Sequence, residues 1–237
     1  MENNLGGIAE LAEQNWSKCA QCRLEPAEKA CRVEGKKSPV FCPMGLEKEI
    51  IKQTRKSYQE TGIREFARQA SLQEASGYSV DKSNPDIRRP AKPRLQEVAE
   101  FAHRMGYRRL GLAFCNGLRM EAAAVNRYLE MQGFEVVSVI CKVGRIPKEE
   151  IGLKDSEKIV PGKLEAMCNP VGQAEILNAS STEFNIVLGL CVGHDSLFFK
   201  HSKAPATVLA VKDRVTGHNP LAVVYTLGSY YGGLLNS

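Results

Sequence analysis

The sequence contains no run of 18 apolar residues, so nothing in it reads as a membrane-spanning helix. Residues 1–14 lack the apolar stretch of a signal-peptide core, so export has no support and the expected location is the cytoplasm. A G-x-x-x-x-G-K-[ST] phosphate loop, a G-x-G-x-x-G after a strand, H-E-x-x-H and G-x-S-x-G are all missing, so ATP, NAD and serine-hydrolase readings have no local basis. The proportions, 43% hydrophobic and 25% charged with ordinary glycine and proline, exclude collagen-like, wholly disordered and membrane-embedded classes. At 237 residues the chain has room for one α/β domain with an appendage, or for two small domains.

A general cationic surface is also missing. The formal net charge is +5, and residues 52–94 account for all of it with ten Lys or Arg against five Asp or Glu. Lys52, Arg55, Lys56, Arg64 and Arg68 are interspersed with Glu60 and Glu65, the pattern of a solvated helix face, so nucleic acid is not indicated as a partner.

What the chain does have is eight cysteines, more than a cytosolic protein of this size needs for folding. They form two sets, Cys19, Cys22, Cys31 and Cys42, then Cys115, Cys141, Cys168 and Cys191, with none in the 72 residues between. Two separate sites are the natural reading.

Residues 5–15 suit a short helix. Residues 16–44, with Pro26, Gly35, Pro39 and Pro43, show neither period and cannot build an apolar core. Ile50, Ile51, Thr54 and Tyr58, then Ile63, Phe66, Ala67 and Ala70, recur at helical spacing and predict two helices or one with a break. Residues 76–93 are polar and carry three prolines, the signature of an extended connection. The expected organisation is a cysteine-rich module with helices over 1–75, a linker over 76–93 and an α/β domain over 94–237.

In that domain helices at 94–105, 118–132, 170–179 and 195–201 alternate with strands at 109–114, 134–140, 185–190 and 206–212. A Lys- and Glu-rich loop covers 144–163 and a closing helix is expected over 220–235. The strands LGLAF, VVSVI, NIVLGL and TVLAV are apolar almost throughout, as when helices cover both faces. The fold class is α/β, a small Rossmann-like, doubly wound, mainly parallel sheet with an N-terminal cysteine-rich metal-binding module and helical segment.

The first set has the spacing C-x2-C-x8-C-x10-C. It supplies four soft ligands within 24 residues, enough for tetrahedral zinc or an iron-sulfur cluster. A thioredoxin-like redox pair would place its C-x2-C after a strand, and nothing before Cys19 reads as one. Cys42-Pro43 is similar to the end of bacterial ferredoxin motifs, and spacing alone leaves zinc and iron-sulfur both open. Either way metal binding would supply folding energy to a segment with little apolar content.

In the second set Cys115, Cys141 and Cys191 directly follow LGLAF, VVSVI and NIVLGL. They are therefore expected at the carboxyl ends of strands, the edge where open α/β sheets bind ligands. Cys168, in the loop before the helix at Pro170, can reach the same rim. A single free cysteine here would read as a small buried hydrophobe; four at one edge point instead to a shared centre. Cys141 is the candidate bystander, because Lys142-Val143 could continue its strand. A [4Fe-4S] cluster held by Cys115, Cys168 and Cys191 would leave one iron open to a small-molecule substrate. His194, Asp213 and His218 are candidate acid-base groups with alternatives: a ligand or a cap for His194, and a turn with an Asp-Arg pair for the other two. Asn116 and Asn169 are candidate donors to cluster sulfur or substrate, and Asp195 is expected to cap its helix.

Four segments carry a resemblance: Cys19-Ala20-Gln21-Cys22, AFCNGL around Cys115, MCNP around Cys168, and LCVGHDSLFFKHSKAP followed by VKDRVTGHNP. Over nearly its whole length the chain resembles a family of CxxC-containing metal-binding proteins with a domain of unknown function, found mainly in anaerobic bacteria and archaea. The resemblance implies metal binding and no particular reaction. Three cysteines around an open cluster are also similar to the site of non-redox thiouracil desulfidases, which suggests desulfidase or related lyase or hydrolase chemistry. The leading expectation is an iron-sulfur protein acting on a small sulfur-containing or anionic molecule, or working with a redox partner. The alternatives are a non-enzymatic zinc-binding regulatory or interaction module with buried or redox-sensing later cysteines, and a metal or cluster carrier.

Overall fold

The computed structural model describes residues 16–236, so the helix expected over 5–15 lies outside the described residues. The chain packs as two compact units, one ending at Arg68 and the other beginning at Gln69.

The first unit turns at Cys19–Gln21 and Pro26–Glu28 and then forms helices α1 (Pro43–Leu46) and α2 (Lys48–Ser57) and the start of α3 (Thr61–Ser76). The expected break between helices falls at residues 58–60. None of the described residues up to Arg68 is buried. What order there is comes from backbone hydrogen bonds: the Lys18 N–H donates to the Phe41 carbonyl, and Ala30 and Lys37 join the flanks of the 29–37 loop.

In the second unit residues 76–93 fold back on themselves. β1 (Tyr78–Val80) pairs antiparallel with β2 (Arg88–Pro90) around a turn in which Asp81 accepts from the Ser83 and Asn84 N–H groups and pairs with Arg89. After α4 (Arg94–Arg104) come β3 (Arg109–Phe114), α5 (Arg119–Met131), β4 (Glu135–Ile140), α6 (Pro170–Ala179), β5 (Phe184–Leu188), α7 (His194–His201) and β6 (Ala206–Ala210). The four later strands form one parallel sheet in the order β4-β3-β5-β6. The expected α/β architecture is therefore observed. In place of a single closing helix over 220–235 there is a short α8 (Leu221–Tyr225) and a 3-10 turn at Gly232–Leu235. Gly228 and the Gly232-Gly233 pair make a longer helix entropically costly.

The apolar strands are explained by two cores, one on each face. Leu110, Leu112, Phe184, Ile186 and Leu188 pack with Val98, Ala102, Leu118, Val125 and Leu129 of the α4 and α5 side. Ala113, Cys115, Val139, Cys141 and Val187 pack with Ala174, Leu177 and Phe198 of the α6 and α7 side. Residues alternate between the cores with the strand period of two. The exception is Asn185, fully buried on the second face. Its Oδ1 accepts from the Thr182 hydroxyl and its Nδ2 donates to the Ser202 hydroxyl, which fixes the α7–β6 connection. Gly111 pairs with it in register, and a Cβ at Gly111 would stand 2.0 Å from Asn185 Oδ1 and 2.9 Å from Leu177 Cδ1. Gly111→Ala is expected to cost about 2 kcal/mol in urea unfolding, because neither neighbour can withdraw from a packed core.

One carboxylate sets an acid limit. Glu100 of α4 accepts from Lys92 Nζ at 2.6 Å, Gln73 Nε2 at 3.0 Å and Gln96 Nε2 at 2.9 Å, and the Lys92 and Gln73 bonds pull its pKa down to about 2. Its folded pKa lies below the unfolded value, so the stabilisation is complete above pH ~4.5 and is lost as pH falls toward 2. Glu100→Gln should remove that dependence at a cost of about 1 kcal/mol at pH 7, the group being partly exposed, as acid titration of unfolding would show.

Candidate functional site

In the sheet order the chain leaves β3 toward β4 on one side and returns to β5 on the other. The carboxyl ends of β3 and β5 therefore form the switch point where open α/β sheets make a crevice. A cavity of about 480 Å³ opens there, and all four cysteines of the second set line it. Cys115 follows β3 and Cys141 follows β4 directly. The strand before Cys191 ends two residues sooner than expected, at Leu188. Gly189, at φ +69°, turns the chain, and a Cβ there would stand 2.0 Å from Leu118 Cδ1. Cys168 precedes the Asn169 cap of α6.

The chain stops extending at Cys141 and turns, and the thiol of Cys141 lies between those of Cys115 and Cys168, within hydrogen-bonding reach of both. The expected bystander is thus the central thiol. The Asn116 N–H donates to its Sγ at 3.2 Å. Donation from Cys141 pulls both outer thiols well below the usual thiol range, to about 5, while Cys141 itself is pushed upward by holding the proton. One S–H serves one acceptor at a time, so Cys141 shares its proton between its two neighbours. Cations complete the arrangement. Lys212 stands by Cys115 and Lys142 by Cys168, where the imidazole of His194 also lies, and the Arg214 Nη2 donates to Cys191 Sγ at 3.2 Å. Cys115 and Cys168 each have a lysine beside them, which favours thiolate.

The other candidates separate. His194 lines the crevice at the start of α7, and its Nδ1 is buried without a hydrogen-bond partner among the described residues. Asn116 lines it too. Asn169 does not: its Oδ1 accepts from the Gly172 N–H at 2.8 Å and its Nδ2 donates to the Val143 carbonyl at 3.3 Å, so its polar atoms are spent on capping α6 and holding the 141–144 turn. Asp213 and His218 are likewise outside the lining. Asp213 Oδ1 accepts from the Val215 and Thr216 N–H groups, and His218 Nδ1 accepts from the Asp213 N–H, which closes a local turn without the expected Asp-Arg pair. The Asp195 side chain accepts from the Ser196 N–H, while Gly193 occupies the N-cap of α7. The rim cations Lys142, Lys212 and Arg214 were not singled out by the sequence, although two of them flank Asp213 at the end of β6; strand-end position marks the stretch without telling which neighbour faces inward.

In the first unit Cys19 and Cys31 are exposed, and Cys22 and Cys42 are partly so. Bonding between Lys18 and Phe41, each immediately before a cysteine, draws the ends of the segment together. The Cys42 thiol, at the N-terminus of α1, is lowered by the Ser38 hydroxyl and the Met44 and Gly45 N–H groups. Among the described residues no three of His, Cys, Asp and Glu, in either unit, form a ready-made metal ligand set, and all eight cysteines are free thiols. The donor chemistry of the crevice nevertheless suits a soft metal: thiolates held by N–H donors and cations, with an orphaned imidazole nitrogen beside them.

Comparison with known proteins places the chain among relatives. The profile of a family described as "Protein of unknown function (DUF1847)" matches residues 42–209, which hold Cys42 and the whole crevice set. The chain belongs to this family. It is also 51% identical over 140 residues to "Uncharacterized protein MJ0455" of Methanocaldococcus jannaschii, an overlap of 59% of this chain and 69% of the relative. Among the described residues no helix of this DUF1847 protein is long and apolar enough to cross a membrane.

Proposed function

We propose that this DUF1847 protein is a metal-binding protein whose crevice holds an iron-sulfur centre through Cys115, Cys168 and Cys191 and acts on a small sulfur-containing or anionic molecule. The observation that carries the reading is the convergence of cysteines from four separate connections on one cavity, three of them each beside a cation. Cations and N–H donors around thiolates offset the negative charge such a centre brings. Cys141 would sit beneath it as the thiol that shares its proton. A [4Fe-4S] cluster held by three thiolates supplies one iron open to a substrate as a Lewis acid. His194, which lines the crevice, is the imidazole placed to hold a proton near the bound molecule. Eight free cysteines suit a reducing compartment, the cytoplasm in this reading.

In the same reading Cys19, Cys22, Cys31 and Cys42 hold zinc or a second cluster, supported by the absence of buried residues among those described in their unit. Chelation is then expected to expose residues 17–44 to protease while the helix and strand signal of the later unit persists.

The test is anaerobic purification followed by iron, zinc and acid-labile sulfide analysis. Iron and sulfide in near-equal amounts, with visible absorbance, are expected; a colourless protein with one zinc and no sulfide removes the reading. The contact of Cys141 with both Cys115 and Cys168 favours one alternative, redox-sensing thiols with zinc confined to the first unit. In that case replacing Cys115, Cys168 and Cys191 leaves metal content unchanged.

A further inference from the structure

The crevice has two unlike kinds of lining. Among the described residues four cationic side chains line it, Lys142, Lys148, Lys212 and Arg214, and no Asp or Glu does. Two of the four are used by the scaffold: Lys148 pairs with Glu165 at 2.5 Å, and the Lys142 Nζ donates to the Ala166 carbonyl at 2.6 Å. Lys212 and Arg214 are different. Neither has a carboxylate partner among the described residues, and the carboxylate between them, Asp213, is turned onto the Val215 and Thr216 N–H groups. Lys212 also reaches in over Cys115 through a gap kept by glycine, since a Cβ at Gly117 would stand 3.0 Å from its Nζ. Cys115 and Cys191 each engage one of these side chains, and an ammonium and a guanidinium keep further N–H donors.

The aliphatic part of the lining comes from the 144–168 excursion. Its frame is tied by ion pairs: the Lys158 side chain is only 4% exposed and its Nζ meets Glu149 at 2.5 Å and Asp155 at 2.8 Å. From this charged frame Ile151, Leu153 and Ile159 line the cavity, with Ile159 82% exposed. An inorganic anion would satisfy the cations and leave these side chains in water. A neutral thiol would do the reverse.

We infer that the crevice takes a small organic anion, its carboxylate- or sulfonate-type group held by Lys212 and Arg214, its hydrocarbon body against Ile151, Leu153 and Ile159, and a sulfur atom directed at the cysteines. The inference rests on the crevice being the working site proposed above, and it names the substrate class.

The experiment is calorimetric titration of the full chain, under anaerobic conditions, with 3-mercaptopropionate, 3-mercapto-1-propanol and inorganic sulfate. The expected result is that 3-mercaptopropionate binds at least about tenfold more tightly than either of the others. Combined Lys212→Met and Arg214→Met should bring the two thiols to equal affinity, with an unchanged cooperative unfolding transition reporting that the variant is folded. Combined Lys212→Arg and Arg214→Lys should keep the preference. Equal affinity in the parent protein, a preference surviving the methionine pair, sulfate bound as tightly as the organic anion, or no binding of 3-mercaptopropionate would each overturn the inference. Metal and sulfide measured on the same preparation separate the two proposals: anion preference without metal removes only the iron-sulfur reading, and metal without anion preference removes only this one.

Discussion

Replacing Cys115, Cys168 and Cys191 together with serine is expected to abolish or much reduce visible absorbance and to remove the iron and sulfide of the crevice, leaving only what residues 19–42 hold. Serine keeps the size of the side chain, but its hydroxyl does not ionise in the range where a thiol does, so the soft anionic donor is lost with little change in packing. The single replacements should grade. Cys115→Ser and Cys168→Ser each remove a thiolate flanked by a lysine and bonded to Cys141, and each should lower retained iron by about tenfold or more. Cys141→Ser should be milder, because a hydroxyl can still donate one hydrogen bond to a neighbouring sulfur. If instead Cys141→Ser empties the crevice and Cys191→Ser does not, the ligand set is the contiguous trio and Cys191 serves only the Arg214 contact. Iron and sulfide analysis across the four variants decides between these sets.

How much of this was legible in the sequence depends on what each feature owes to local pattern. The strands were legible because burial on both faces leaves them apolar without alternation, and the crevice edge was legible because cysteines follow those strands. The early end of β5 was not, since it follows from a positive φ at Gly189 that tucks the backbone against Leu118, a contact 71 residues away in sequence. Asp213 and His218 looked chemical by residue type, yet short-range bonding to backbone N–H groups claims both, and the neighbouring Lys212 and Arg214 face the cavity instead. Side-chain direction in a loop is set by such turns, which composition does not encode. Cys141 was underrated for a related reason: the strand pattern ran on through Lys142 and Val143, while the Asn169 N–H, donating to the Cys141 carbonyl at 2.7 Å, turns the chain there.

Gln173→Glu is expected to destabilise the second unit by about 4 kcal/mol at pH 7, for an isosteric change of one atom group. Gln173 sits on α6 and is fully buried. Its Nε2 donates to the Val139 carbonyl at 2.7 Å and to the Phe114 carbonyl at 3.2 Å, so one amide ties together the strand ends that carry Cys115 and Cys141. Nothing in the helix pattern marks it, because a buried glutamine in an apolar helix is explained only by the two carbonyls it meets. Its Oε1 has no partner among the described residues. Glutamate would set a carboxylate oxygen against two carbonyls in a water-free site, and that charge has no cation to meet. Its folded pKa would rise well above the unfolded value near 4.3, so the folded state binds the extra proton. The penalty is then absent below about pH 4, where protonated glutamate can still donate to one carbonyl, and it grows by about 1.4 kcal/mol per pH unit above that until the folded pKa is reached. Gln173→Leu, which introduces no charge and removes the orphaned oxygen, should cost about 1–2 kcal/mol with no such pH dependence. Unfolding measured at pH 4.5 and pH 7 distinguishes the two: an equal loss for Gln173→Glu at both would mean that the site admits water or a counter-charge. Both variants loosen the hold on Cys115 and Cys141 and are expected to lower metal retention by about 10–100-fold, the effect of losing a group that orients ligands without touching the metal.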